Sequence, residues 1–475
     1  MKFNQLKHTL FATLLLVASS CERYLDEPQP TDEVSAELVF SNAENAEANL
    51  TGITSLLRFD TNVNGQDAAN LGSVYFARTV KGEDFLVPNS WYSFDYRNIT
   101  RLSTHRRTNF TWRYFYKIIR QSNELITGVN SSKNISEARK KSLIARAKVL
   151  RALSYFELVQ DFQLGYPYSK NMPALPLYEE YTKEAKPFST TEEVFQFIVN
   201  DLESALPDLP VSRPSKAFVN QQVGYALAAR VYQVKQDWNK AYQYAQLAYG
   251  GNVENSLDAA SYSNGFKTLD SKEWILGYGQ QAGQSVYWMM APHSFTDLSV
   301  ENDGYSNVYV SKTLYDLFSD TDIRKLFDYN PNADGDKKYS TYKFTFNRGE
   351  AACPYFRTAE MVLIAAEAQY RLGNTAKAQE TLYKLQKNRD PKAVEQHNTG
   401  DALLEEILIE RRKELYGEVG VELYDARRLS RPLKRSAAHS VVLDFKPNDP
   451  KSIYQYPQQE IDANPNVDES INNGR

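Results

Sequence analysis

Cysteine is almost absent from this 475-residue chain: two residues, Cys21 and Cys353, more than three hundred positions apart. Histidine is scarce too, at five, and no His-x-x-x-His or Glu-x-x-His cluster occurs, so a zinc site is not expected. A G-x-S-x-G nucleophile elbow is missing. No segment reaches the roughly 18 consecutive apolar residues of a membrane-spanning helix. Charge of one sign is not in excess either: the formal net charge is −4, and no long basic cluster occurs, which disfavours nucleic acid as a partner. Neither a metal nor a cofactor is expected.

Aromatic residues are what the chain has in plenty. It carries 32 Tyr, 23 Phe and 5 Trp, 13% of all residues. Tyrosine joins an apolar body to a polar tip, which suits both cores and sites that hold polar ligands with flat faces.

The first cysteine follows a distinctive start. Lys2 and Lys7 form a basic head, Thr9 to Ala18 is apolar apart from threonines, and Ala18-Ser19-Ser20 ends on Cys21. That layout is a secretory signal peptide, and a cysteine directly after the small residues resembles a bacterial lipobox. Residues 1–20 are therefore expected to be removed and Cys21 to carry lipid, with residues 21–35, "CERYLDEPQPTDEVS", as a polar tether. Losing Lys2 and Lys7 takes the formal charge to about −6. The remaining Cys353 has no partner for a disulfide and reads as a small buried hydrophobe.

Helical periodicity dominates from residue 36 onward. "NAENAEANLTGITSLLRF" sets Leu50, Ile53, Leu56 and Leu57 on one side. "FTWRYFYKIIRQSNELI" and the long "SEARKKSLIARAKVLRALSYFELVQDF", capped by Ser136, read as two more helices. "STTEEVFQFIVNDLESAL" opens on a capping box of Thr190 and Glu193. Two helix pairs follow, one joined at Gln236-Asp237 and one broken at Gly373-Asn374, and "GDALLEEILIERRKELYG" closes the set. In both pairs a turn leads into Lys-Ala (Lys240-Ala241, Lys377-Ala378), with further alanines on the packing faces. Tetratricopeptide hairpins look like this, because small residues let helices approach. The 34-residue period does not persist between the pairs, so the expectation is scattered hairpins rather than an open solenoid. The fold class is mostly α, with tetratricopeptide-like helix hairpins, long loop-rich insertions and little β structure. Residues 36–475 read as one domain, with insertions near 60–109 and 251–357.

The order of several pieces resembles the SusD/RagB family of Bacteroidetes outer-membrane lipoproteins. They are "CERYLDEP", "RAKVLRALSYFELVQDF", "VFQFIVNDLESALPDLP", "AARVYQVKQDWNKAYQYA", "FRTAEMVLIAAEAQYRLGN", "ILIERRKELYGEVGVELYDARRL" and "IYQYPQQEIDANPN". Two departures stand out. The segment after "LVQDF", "QLGYPYSKNMPALPLY", is longer than the family's usual short glycine turn and proline. After "ERRKEL", Val419 separates Glu418 from Gly420, and the position where the family is commonly basic holds Glu422.

The resemblance implies a non-catalytic protein that binds a nutrient, an oligosaccharide or in some members a peptide. It implies a SusC-like TonB-dependent transporter as partner and a lipid anchor at the surface of the outer membrane. Ligand binding is expected on the loop-rich side. There, Trp91 with Tyr92 and Trp288 with Tyr287 are the candidate ligand residues. The alternatives are an interaction scaffold without a small ligand and a secreted hydrolase. Against the hydrolase, Glu406, Glu410 and Glu414 share one helix face and cannot flank a bond from both sides; beside Arg411, Arg412 and Lys413 they read as local ion pairs. "NPNADGD" (Asn330–Asp336) matches only the first half of a calcium loop, since position 12 is Thr341, and reads as a polar turn.

Overall fold

The computed structural model describes residues 36–60, 67–280, 291–299, 304–347 and 350–475. Helix α1 (Ala43–Ser55) starts where Asn42 accepts the Asn45 N–H. It buries Leu50 and Ile53, and Leu56 and Leu57 continue the same apolar side just past its end. Helix α2 (Leu71–Thr79) lies inside the first insertion and is buried along its whole length. Two 26-residue helices, α3 (Arg106–Ser131) and α4 (Glu137–Phe162), form the first long hairpin. Ser136 holds the N-cap position of α4, but its side chain makes no capping hydrogen bond. Helix α5 (Thr191–Ala205) has the expected reciprocal box: Thr190 Oγ1 accepts the Glu193 N–H, and Glu193 accepts the Thr190 N–H.

The two alanine-rich pairs are the core of the scaffold. Helices α6 (Gln221–Lys235) and α7 (Trp238–Tyr249) turn at Gln236, which takes the left-handed conformation, and at Asp237, which caps Lys240. Helices α8 (Thr358–Arg371) and α9 (Thr375–Arg389) turn at Gly373, whose φ of 80° explains the glycine. Helix α7 packs directly on α8, so the pairs stack although a hundred residues separate them. Ala226, Ala229, Ala241, Ala245, Ala365, Ala366 and Ala378 of the two pairs are buried. Helices α10 (Gly400–Leu415), α11 (Val421–Arg428) and α12 (Gln458–Ala463) complete the set of longer helices.

Strand structure among the described residues is five two-stranded antiparallel ribbons. They are β1 (Phe85–Leu86) with β5 (Tyr309–Val310), β2 (Pro173–Pro176) with β3 (Phe188–Thr190), β4 (Trp274–Gly279) with β8 (Ala352–Arg357), β6 (Phe327–Tyr329) with β7 (Tyr339–Thr341), and β9 (Leu433–Lys434) with β10 (Asp444–Phe445). The β1–β5 pairing joins the two insertions, which share a second apolar cluster built on Phe76, Tyr92, Phe295 and Val310. Strand β8 runs straight into α8, tying the second insertion to the scaffold. Cys353 lies in β8, buried, with its Sγ 3.7 Å from the Ala291 carbonyl, and burial pushes the thiol up and keeps it unreactive. Asn330–Asp336 forms the polar tip between β6 and β7.

Candidate ligand surface

The first insertion delivers an apolar knuckle to solvent just before α3. Trp91, Phe94, Ile99 and Leu102 are 42%, 49%, 41% and 40% exposed, four large apolar side chains within twelve residues. The backbone is held by local turns: Ser90 N–H donates to Ser93 Oγ, and Asn98 adopts the left-handed conformation. His105 caps α3 by accepting the Arg107 N–H at 3.1 Å, and burial lowers its pKa, so the ring is neutral beside Phe94.

Beneath the knuckle sits a fixed charge layer. The Arg106 guanidinium lies 5.9 Å from the Trp91 ring centre and pairs with Asp67. Arg107 is fully buried, donating to Asp95 at 3.0 and 3.2 Å and to Asp67 at 3.1 Å. These pairs consume both cations, so Trp91 rests on an anchored base with its outer surface free.

The two adjacent aromatics expected in a ligand surface therefore separate. Trp91 faces solvent. Tyr92 is wholly buried, edge-on to Phe76 and Phe295 with ring centres 4.7 and 4.9 Å away and the Arg107 guanidinium 5.3 Å over its ring. Tyr287 and Trp288 lie outside the described residues, as does Cys21. The chain enters the stretch bearing Tyr287 and Trp288 at Gln280, whose N–H reaches the Ala351 carbonyl, and leaves it at Ala291, packed in the Phe76–Tyr92 cluster. Phe94, Ile99, Leu102 and Arg106 join this surface without standing out in the sequence. Their signal was apolar residues repeating inside a stretch rich in turn formers.

The carboxylates of α10 match the expectation of local ion pairs only in part. Glu410 keeps a local pair with Lys413, but Glu410 and Glu414 are buried and also paired over long range. Glu414 accepts Arg357 Nη1 at 2.8 Å, Arg389 Nη2 at 3.1 Å and Arg324 Nη1 at 3.1 Å. Burial opposes its ionisation, but the guanidiniums of Arg389, Arg357 and Arg324 hold its carboxyl well below the usual range. Glu406 instead accepts side-chain amides from Gln386 and Asn398. The helix face is charged because arginines from three distant stretches meet it. Glu422, at the departure from the family pattern, accepts the N–H groups of Glu83 and Asp84, so an acid there binds backbone where a base could not. Among the described residues no group of three or more His, Cys, Asp or Glu is placed to hold a metal ion.

Comparisons with known proteins place this geometry in context. Residues 23–233 match a model of the family described as starch-binding associating with outer membrane, and residues 220–474 match the SusD family model. A SusD-like protein of Bacteroides ovatus is 25% identical over 229 residues, 48% of this chain but only 39% of that relative. SusD-like protein P2 of Formosa agariphila is 25% identical over 372 residues, covering 67% of this chain and 71% of its own length. Among solved structures, a SusD-like carbohydrate binding protein from Bacteroides vulgatus superposes with a TM-score of 0.80 at 24% identity, covering 90% of this chain and 97% of that one. A SusD superfamily protein from Bacteroides thetaiotaomicron gives 0.78 at 23% identity, covering 90% and 99%. At those identities the likeness establishes the fold.

Proposed function

Because the chain belongs to the SusD family, we propose that it is a lipid-anchored outer-membrane protein that captures an oligosaccharide at the Trp91 knuckle and delivers it to a SusC-like TonB-dependent transporter. The observation that carries the ligand site is one exposed tryptophan face set on a rigid, charge-paired base. An aromatic face covers the C–H face of a sugar while the hydroxyls stay in water. Trp288 and Tyr287, which lie outside the described residues, are proposed as further ligand residues. Cys21 supplies the anchor; no helix of the described residues is long and apolar enough to cross a membrane. The protein binds and hands over its ligand without chemistry: on α10 the buried Glu414 accepts from three guanidiniums and Glu410 is paired with Arg324.

The test is Trp91→Ala, measured by calorimetry with neutral hexasaccharides and by melting on the same sample. Affinity is expected to fall five- to hundredfold, about 1–3 kcal/mol, with little change in stability. Unchanged affinity would move the site elsewhere. Native purification from detergent-solubilised membranes is expected to bring a TonB-dependent barrel with the protein, and recovery of monomer alone would remove the delivery role.

A further inference from the structure

A groove of about 590 Å³ runs along the middle of α3, within the range of small-molecule sites and separate from the residues that form the Trp91 knuckle. Its floor is one face of α3: Arg113, Tyr116, Lys117 and Arg120, at i, i+3, i+4 and i+7. One wall is the strap 177–187 between β2 and β3; α12 with Asn464 lines it as well. The strap follows the segment that is longer than the family's usual pattern.

The groove is built before any ligand arrives. Tyr178 N–H donates to the Tyr155 hydroxyl at 2.7 Å, Asn123 Nδ2 to the Tyr178 carbonyl at 3.0 Å, and Arg151 Nη1 to the Glu179 carbonyl at 2.7 Å. At its other end, Asn464 Nδ2 donates to the Lys186 carbonyl at 2.9 Å and Asn466 Nδ2 to the Ala185 carbonyl at 3.1 Å. Five anchors outside the strap, one of them Asn123 on α3 itself, thus fix the strap in place. The rings are fixed too. Tyr116 donates its hydroxyl to the Pro176 carbonyl at 2.9 Å, and its ring lies 4.7 Å from Trp112 and at 88° to Tyr178. By contrast Arg113, Tyr181 and Lys183 have exposed side chains with no hydrogen-bond or ion-pair partner among the described residues.

The lining chemistry selects the ligand class. Four basic and four acidic residues line the groove, so their formal charges cancel, and a polyanion or polycation gains no net attraction. Donors and acceptors both line the groove beside fixed aromatic rings. Guanidinium and carboxylate groups both pair with hydroxyls through charge-assisted hydrogen bonds, and the rings take the C–H faces between them. We propose that this groove is a second carbohydrate subsite, for a neutral oligosaccharide, with Tyr181 as its exposed platform and Arg113 as its free donor. The ligand class rests on the carbohydrate-binding reading above; the site itself does not depend on Trp91.

The experiment compares wild type, Trp91→Ala, Tyr181→Ala and Arg113→Gln. The probes are neutral hexasaccharides of α-glucan, β-glucan, xylan and mannan, with trigalacturonate and tryptic casein peptides as the charged and peptide controls. Calorimetry gives affinity, and amide hydrogen exchange reports protection of residues 177–187. At least one neutral hexasaccharide is expected to protect the strap in wild type and in Trp91→Ala. Tyr181→Ala and Arg113→Gln are expected to weaken that binding five- to hundredfold, with melting unchanged because both side chains are exposed. Binding lost in Trp91→Ala but unchanged in both groove variants would overturn the subsite and leave the proposed function standing. Strap protection by trigalacturonate or peptides alone would overturn the neutral-sugar assignment. Protection by no probe would overturn the subsite outright.

Discussion

Glu414→Gln removes one charge from a large buried ionic cluster without changing the shape of the side chain. Arg324, Lys343, Arg357, Arg389 and Lys413 are there matched by Glu273, Asp322, Glu410, Glu414 and Glu418, five cations against five anions. Glu414 alone touches three of the guanidiniums, and it and those three arginines are 1% exposed or less. The amide fills the same space, so no cavity is formed, but a net positive charge is left in the interior. Breaking a buried pair in this way costs about 3–5 kcal/mol. Glu406→Gln is the control, because Glu406 pairs with neutral amides and its helix neighbour Glu405 is exposed; about 1 kcal/mol or less is expected there. Denaturant unfolding followed by circular dichroism measures both. The pH dependence supplies a second check. The folded-state pKa of Glu414 is held below its ordinary 4.5, so its stabilisation is present above pH 4.5 and is lost as pH falls below that value. The gap between wild type and Glu414→Gln should therefore be full at pH 7 and shrink in acid. Equal midpoints at pH 7, or a gap that widens in acid, would refute the idea that Glu414 balances buried guanidiniums.

Tyr92→Ala, next to an exposed tryptophan, should behave as a core truncation and cost about 3–5 kcal/mol, read by the same unfolding assay, since the side chain is wholly buried between Phe76 and Phe295. A loss below about 1 kcal/mol would place Tyr92 at the surface after all. Cys21→Ala should leave the body folded and move it from the membrane fraction to the soluble fraction in cells lacking the transporter; continued sedimentation with outer membrane would reject the lipid anchor.

The scaffold was legible because its signals are local. Alanines at helical spacing, a capping box at Thr190 and a turn at Gly373 each act within a few residues, and each forms as the sequence predicts. Ser136 shows the limit of even that reading, since position alone does not make a side chain accept a hydrogen bond. Trp91 and Tyr92 show a second limit. Neighbours in a turn point in different directions, and composition does not say which one the Phe76 cluster will claim. The charged face of α10 shows a third. Glu410 and Glu414 have the spacing of a solvated stripe, and only the arrival of Arg324, Arg357 and Arg389 from other elements turns that stripe inward.

The groove on α3 combines all three limits. Trp112 packs in the core, 5% exposed, yet it also lines the groove. Arg113, Lys117 and Arg120 look like an ordinary polar face from the helix alone. They become a site because the strap 177–187 and α12 close over that face, and these come from stretches roughly 60 and 340 residues further along the chain. The one trace in the sequence was the segment after "LVQDF" that is longer than the family pattern, and its added length leads into the strap. A departure from a family's pattern is thus a better guide to what is particular to this chain than the motifs it shares. The shared motifs build the scaffold that every member needs, and the extra residues have only the surface left to shape.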